Sequence, residues 1–302
     1  VIDRNHAFTK VDGVLFKQML KMLSLDFICN YDSLILKDTK KINKLAFALD
    51  MAVAGRSDES VLIRQAQEIQ RQMTDSLIDS AFTYLPEGVK HDEIELIKRK
   101  LKRRRLELEA VASQYYRLLQ RTPVVAGTNQ SDYFLIERQA PDRTVLRIYD
   151  PETGDCRLEQ QFSGKETKEL WLYGLAGNDT FEVKGNTRKD FPIYLISGEG
   201  ESQYQLNHNR KIHVYDKDYK YDYQKIKYHK ISFTPWGIYD SDKGISLGTF
   251  FTYTMYGFKR APFTYQHRIG YNYLKGFMYA GIFPNYDGRR RLYLNASISS
   301  PR

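Results

Sequence analysis

Gly244-Ile-Ser-Leu-Gly-Thr-Phe-Phe-Thr-Tyr-Thr-Met255 puts Ile245, Leu247, Thr249, Phe251, Tyr253 and Met255 on one set of alternate positions, and Ser246, Gly248, Phe250, Thr252 and Thr254 on the other. Side chains on a strand point to opposite faces in turn, so a period of two sorts them into a largely apolar face and a more polar one. The pattern recurs on both sides of this stretch. Phe263 to Tyr273 alternates Phe263, Tyr265, His267, Ile269, Tyr271 and Tyr273 with Thr264, Gln266, Arg268, Gly270 and Asn272. A third run carries Phe277, Tyr279, Gly281 and Phe283, and a fourth sets Leu292, Leu294, Ala296 and Ile298 against Arg291, Tyr293, Asn295 and Ser297. Outer-membrane strands need roughly 9–11 residues with apolar side chains outward, polar ones inward and aromatics near both interfaces. Four such runs in succession, joined by the turn-like segments Tyr256–Pro262, Leu274–Gly276 and Pro284–Arg290, predict an antiparallel meander that begins a β-barrel. The chain stops at Pro301-Arg302 before a barrel could close, so a fragment of a longer protein is expected.

At 302 residues there is room for two or three domains. Mean hydropathy is −0.55 and no apolar run is long enough for a transmembrane helix, which excludes helical anchoring and leaves a barrel open, because hydropathy per strand is weak. The chain opens on Val1, and no signal peptide is read at its start. Tyr outnumbers Trp by 23 to 2, with the excess after Tyr194, which suits amphipathic strands at an interface. Cys29 and Cys156 form neither a metal spacing nor a disulfide framework.

The net charge of +9 raises nucleic acid as a partner. Its densest source is Lys98, Arg99, Lys100, Lys102, Arg103, Arg104 and Arg105. These lie within a helical pattern whose apolar stripe is Ile94, Ile97, Leu101, Leu108, Val111, Tyr115 and Leu118. Asp92, Glu93 and Glu95 precede the cations, as the helix dipole favours. A solvated outer face is the expected role of this run. Nucleic acid is not expected as a partner, and phosphate-rich lipid head groups are its equal as an alternative.

The expected fold class is α+β in three parts: a helical region over 1–121, a central all-β repeat domain over 122–235, and the first barrel strands over 236–302. Residues 1–39 read as an extended start and mixed structure. Ile42, Leu45, Ala46, Leu49 and Val53 recur at helical spacing and end at Gly55. Ser57 or Asp58 can cap a second helix carrying Val61, Ile63, Ala66, Ile69, Met73, Leu77, Ile78 and Phe82, closed by Pro86 and Gly88. The basic helix runs from about Asp92 to Arg121, and Pro123 ends it.

After Pro123 a repeat appears. Gly127-x4-Asp132-x-Phe134 is matched by Gly174-x4-Asp179-x-Phe181 at an offset of 47. Half that distance also works. Gly154 and Leu158 match Gly177 and Phe181 at an offset of 23, as do Gly200 and Tyr204, with Leu195 matching Leu172 and Leu206 matching Val183. Stacked strand-turn-strand units, each covering its neighbour's apolar face, would give such a period; unrelated hairpins with glycine turns are the equal alternative. Tyr173–Phe181 is also close to the Gly-Gly-x-Gly-x-Asp calcium-binding nonapeptide, which makes Asp179 a candidate calcium ligand. The next turn carries Ser202 at the aspartate position, so a turn built by Gly177 and Asn178, with Asp179 bonding its own backbone, is favoured.

Three stretches together resemble one architecture of Gram-negative, Bacteroidota-like envelope proteins. Ile2-Asp3-Arg4-Asn5-His6-Ala7-Phe8 resembles the Asp-x-Asp-x-Ala-Phe segment of CotH/HipA-like kinase-fold domains. The resemblance implies that Asp3 would bind the magnesium of a nucleotide; Asn5 stands where the second Asp belongs, which implies a weakened site. Leu-Trp-Leu-Tyr-Gly-Leu-Ala-Gly-Asn-Asp-Thr-Phe-Glu-Val-Lys-Gly, within Glu169–Gly185, is similar to the segment preceding a surface-antigen (BamA/TamA-like) barrel. Asp-Lys-Gly-Ile-Ser-Leu-Gly, Tyr-Gly-Phe-Lys-Arg-Ala-Pro-Phe and His-Arg-Ile-Gly-Tyr, within Asp240–Arg302, resemble that barrel's first strands. Such proteins often begin with a calcineurin-like metallophosphoesterase, whose paired Asp and His motifs do not occur in these residues.

Three functions follow. The first is an outer-membrane barrel protein in contact with outer-membrane lipid and with other envelope proteins, which orients a helical and β-repeat module for envelope biogenesis, transport or scaffolding. The second is part of an envelope enzyme, kinase-like or phosphoesterase-linked, with catalytic residues elsewhere. The third is a calcium- or carbohydrate-binding repeat adhesin. His6, His91, His208, His213, His229 and His267 show no metal-ligand spacing, and no nucleophile elbow, Cys-His pair or phosphate loop occurs, so a complete active site is not expected.

Overall fold

The computed structural model describes residues 10–22, 25, 27–83, 85, 91–139, 141–186, 190–207, 210–216, 221–227, 229–241, 244–257, 263–272, 276–284 and 291–298. Among them are seven helices and 14 strands in three sheets, so the chain is mixed α+β; no sheet closes into a barrel. Contacts divide it into two compact units, Val1–Asn30 with Gln224–Arg302 and Tyr31–Tyr223. Helix α1 (Val14–Met22) belongs to the first.

The second unit opens with a helical layer of α2 (Thr39–Ile42), α3 (Phe47–Val53), α4 (Glu59–Gln72), α5 (Asp75–Ala81), α6 (His91–Leu106) and α7 (Leu108–Leu119). The long helices read from the sequence are each interrupted. Met73 leaves the helical region at φ −82°, ψ 67°, and Thr74 caps α5 by accepting from the Leu77 amide at 3.1 Å. A second break falls at Glu107, whose carboxylate accepts from the backbone amides of Ile35 (2.9 Å) and Leu36 (3.3 Å). The expected helix from Ile42 to Val53 is broken by a turn at 43–46, where Leu45 is 71% exposed; in α3 Val53 is 68% exposed, while Phe47 and Met51 are buried.

The basic run of α6 is largely held within this layer. Lys98 pairs with Glu95, Lys102 with Asp79 and Arg105 with Asp75, each at 2.8 Å. Lys100 donates to the Tyr31 carbonyl at 2.7 Å, and the Arg104 guanidinium lies 4.4 Å from the Tyr31 ring centroid.

Next come β1 (Val124–Ala126), β2 (Tyr133–Gln139), β3 (Arg143–Tyr149), β4 (Cys156–Ser163), β5 (Leu170–Tyr173), β6 (Thr180–Gly185), β7 (Ile193–Ile196), β8 (Gln203–Leu206) and β9 (Ile212–Tyr215). β1, β5, β7 and β9 form one all-parallel sheet; β2, β6 and β8 run parallel in the other. The offsets of the repeat become register: Phe134 pairs with Phe181, and Phe181 with Tyr204. Their rings stack, with centroids 4.6 Å and 5.6 Å apart. Phe181, Leu172, Val183 and Leu195 are 0% exposed in the core between the two sheets, and Tyr204 and Leu206 pack on it. One reading of the repeat is corrected. Gly154 and Leu158 belong to no parallel turn, because Leu158 lies in β4 and pairs antiparallel with Ile148 of β3. Gly154, at φ +75°, makes the hairpin that inserts between two turns of the repeat.

The helical layer docks on the repeat through several bonds: Arg56 donates to Ala126 O at 2.9 Å and Thr167 Oγ1 to Gln120 O at 3.1 Å. Gly55 O accepts from Gln160 Nε2 at 2.7 Å and from Gln120 Nε2 at 3.2 Å, both glutamines being buried.

In the first unit, β10 (Lys230–Asp240), β11 (Gly244–Met255), β12 (Tyr265–Asn272), β13 (Gly276–Pro284) and β14 (Arg291–Ile298) form an antiparallel meander in sequence order. β11 coincides with the stretch that opens the sequence reading. β10 was missed, because Pro235 and Gly237 interrupt its pattern. Its place at the sheet edge tolerates a proline that cannot donate to a ladder.

Phe181→Ala removes the middle ring of the three-ring stack. We expect it to cost roughly 3–5 kcal/mol, as buried large-to-small changes do. The measurement is denaturant unfolding followed by Trp171 emission in a Trp236→Phe background; an unchanged midpoint would show that the stack carries no stability.

Candidate functional site

Two places concentrate unusual chemistry, one in each unit. The first is the turn that leads into each strand of the β2, β6, β8 ladder. Equivalent positions are Gly127, Gly174 and Ser197 at its start, and Asp132, Asp179 and Ser202 just before the strand. Turns are tied by side chains bonding the backbone of the next. The Asp132 amide donates to Asp179 Oδ1 at 2.9 Å, the Asn178 amide to Ser131 Oγ at 3.1 Å, and the Glu201 amide to Asn178 Oδ1 at 3.0 Å.

The Gly-x4-Asp spacing has a steric cause. Each aspartate folds back onto the glycine five residues earlier. A Cβ added at Gly174 would meet Asp179 Oδ2 at 2.0 Å and Ser197 O at 2.4 Å; one at Gly127 would meet Asp132 Oδ2 at 2.6 Å. In the third turn the glycine is replaced by Ser197 and the aspartate by the smaller Ser202. Gly177 (φ +96°) and Gly200 (φ +112°) occupy equivalent left-handed positions, as the offset of 23 requires.

The two carboxylates live in different fields. Asp132 is paired with Arg157 at 2.7 Å and accepts from the amide and hydroxyl of Thr128 at 2.6 Å and 2.9 Å. Arg157 also pairs with Asp150. Asp179 is 0% exposed, and its Oδ2 has no hydrogen-bond partner. Burial pushes its carboxyl up to about 7; the Asp132 amide pulls against this and the Asp132 carboxylate adds to it. Among the described residues no three His, Cys, Asp or Glu side chains gather to hold a metal. Asp179, the candidate calcium ligand, therefore has its carboxyl packed on Gly174 with Ser202 on the following turn. Asp3, the candidate magnesium ligand, and His208 lie outside the described residues. His213 is exposed and stacks on Tyr194 at 5.0 Å.

The second place is the meander. Register sorts its side chains into two faces. One face carries the rows Phe233, Phe251, Ile269, Tyr279, Ala296 and Ile231, Tyr253, His267, Gly281, Leu294. The other carries Ser232, Thr252, Arg268, Ala280, Asn295, together with Ser246 and Asn272. Burial is inverted relative to a soluble sheet. On the apolar face Leu247, Phe251, Ile269, Leu292 and Leu294 are all exposed, with Phe251 and Ile269 each at 56%. On the polar face Ser246, Thr252, Thr254 and Asn272 are buried and bond one another's strands. Ser246 Oγ donates to Asn272 Oδ1 and Gln266 Nε2 to Thr254 Oγ1, both at 2.8 Å. Arg268 Nε donates to Thr252 Oγ1 at 3.2 Å, with its guanidinium 5.4 Å from the Phe250 ring centroid, beside a cleft of about 360 Å3 that Asn295 and Ser297 also line.

Sequence reasoning found the alternation and expected the apolar side outward, but not the bonds that join Ser246 to Asn272 and Gln266 to Thr254. It singled out Asp179 but not its packing on Gly174, which exists only once the turns stack.

Two outcomes are expected of the turn. A carboxyl whose folded value is raised favours folding below the ordinary range near 3.8 and loses that contribution as pH rises through about 7. Stability should therefore fall between those limits, and Asp179→Asn should flatten that fall in urea melts taken across the window; an unaltered profile would place the titration elsewhere. Gly174→Ala forces a Cβ onto Asp179 and Ser197, and should lower stability by about 1–3 kcal/mol as overpacking does. A neutral effect in the same melts would refute the steric reading.

Comparison of the chain with protein-family models, with curated proteins and with solved structures finds no match in any of the three.

Proposed function

We propose that this chain is part of an outer-membrane β-barrel protein of the surface-antigen type, with its helical and β-repeat unit as an appended module. The supporting observation is the inverted meander, in which Ser246, Thr252, Thr254 and Asn272 are covered while Leu247, Phe251 and Ile269 are exposed. A large exposed apolar face is costly in water and favourable against hydrocarbon. Hydrogen-bonded polar side chains on the opposite face are what a barrel interior requires. The strands contain 11, 12, 8, 9 and 8 residues, near the length that crosses a bilayer when tilted. No helix among the described residues is long and apolar enough to cross a membrane, so strands would carry the anchoring. The reading places the protein in the outer membrane with lipid as its first partner. Its role would be envelope biogenesis, transport or scaffolding through the attached module.

The test is fractionation of the full-length protein together with its mobility in unboiled detergent gels. A folded barrel stays in the outer-membrane fraction and migrates differently before and after boiling. Recovery as a soluble protein without detergent would refute the proposal. Ile269→Arg on the apolar face should cost about 2–4 kcal/mol of folding stability in lipid, the penalty for a cation near the bilayer midplane. Thr252→Arg on the polar face should cost less, and equal costs would remove the assignment of faces.

A further inference from the structure

We propose that the outward stripe of α2 and α3 docks on an anionic lipid surface. Ile42 ends α2, Leu45 lies in the turn that follows, and Leu49 and Val53 lie four residues apart on one side of α3. They are 41%, 71%, 55% and 68% exposed. The opposite side is already committed: Phe47 and Met51 are buried, and Tyr115 Oη donates to Asp50 at 2.5 Å. The outward stripe therefore belongs to no core of its own unit.

Charge identifies the occupant. The exposed Lys40 and Lys41 and the half-buried Lys44 lie at the N-terminal end of the stripe, with Lys37 one turn earlier. Asp38 bonds Lys41 and Asp32 bonds Lys37, both at 2.7 Å, and Asp50 bonds Tyr115. An exposed apolar stripe bordered by lysines is the arrangement that lies in a membrane interface. Leucine and isoleucine enter the acyl boundary while the long lysine stems reach up to phosphate. An apolar protein partner would have no use for the lysines, and nucleic acid none for the leucines.

The test uses the full chain with Cys29→Ser and Cys156→Ser, labelled with an environment-sensitive fluorophore at a single new cysteine. Leu45→Cys reports on the stripe and Leu292→Cys on the meander. Each protein is mixed with, or reconstituted into, vesicles of phosphatidylcholine alone or with phosphatidylglycerol. The label at position 45 should shift to the blue only with phosphatidylglycerol. That shift should be lost in the Lys40→Gln, Lys41→Gln, Lys44→Gln variant, and in about 1 M salt, where the Debye length falls to about 3 Å. A label at 45 that ignores anionic vesicles overturns the proposal, whatever the label at 292 does. Equal shifts on both lipids, insensitive to the lysine changes, also overturn it. So does a shift without vesicles, since growth with protein concentration would mark a second copy as occupant and independence of concentration another segment of the protein. The barrel reading fails separately, if the label at 292 stays water-exposed in both lipids.

Discussion

In-register stacking of equivalent side chains is the constraint on which the β-repeat depends. Phe134, Phe181 and Tyr204 lie one above another because their strands pair in parallel at offsets of 47 and 23 residues. Each ring closes the apolar face its neighbour leaves open, so no single turn can bury itself alone. The hairpin of β3 and β4 lengthens the first interval without disturbing the stack, since it extends the sheet on the far side of β2. The helical layer is then fixed to the repeat where two buried glutamines meet the carbonyl of Gly55.

The turns obey the same logic at smaller scale. An aspartate that satisfies a neighbouring turn's amide must pass beneath its own turn, and only glycine leaves the room. Asp132 remains well served there because Arg157 reaches it from β4. Asp179 has no such cation among its contacts, and burial outweighs the one amide that opposes it. Two copies of one motif thus acquire different electrostatics through what the inserted hairpin brings to one and not the other.

The meander reverses the usual relation between polarity and cover. Ser246, Thr252, Thr254 and Asn272 are buried, with bonds crossing between strands, while Phe251, Ile269 and Leu292 face outward. The outward stripe of α2 and α3 is a smaller instance of the same reversal in the other unit. Both are apolar surfaces exposed among the described residues, and in water each would be costly.

Much of this was legible in the residues themselves. Alternation over Gly244–Met255 fixes a strand, because a period of two has no helical solution. The matched Gly-x4-Asp-x-Phe segments mark equivalent positions, and the parallel pairing of Phe134, Phe181 and Tyr204 then decides for stacked units over unrelated hairpins. Pro123 and the glycine turns fix where helix gives way to strand. Other features needed the tertiary structure. Helical spacing from Ile42 to Val53 does not say whether core, solvent or lipid lies against those residues, and only the tertiary structure shows them exposed. Gly154 and Leu158 match the repeat as letters but pair antiparallel, since strand direction depends on the partner and not on the segment. Asp179 could be picked out as unusual, but its raised carboxyl arises from Gly174, Ser197 and Asp132 meeting it from other parts of the chain. Local sequence determines which elements form and which faces they present; contacts between distant residues decide what those faces meet.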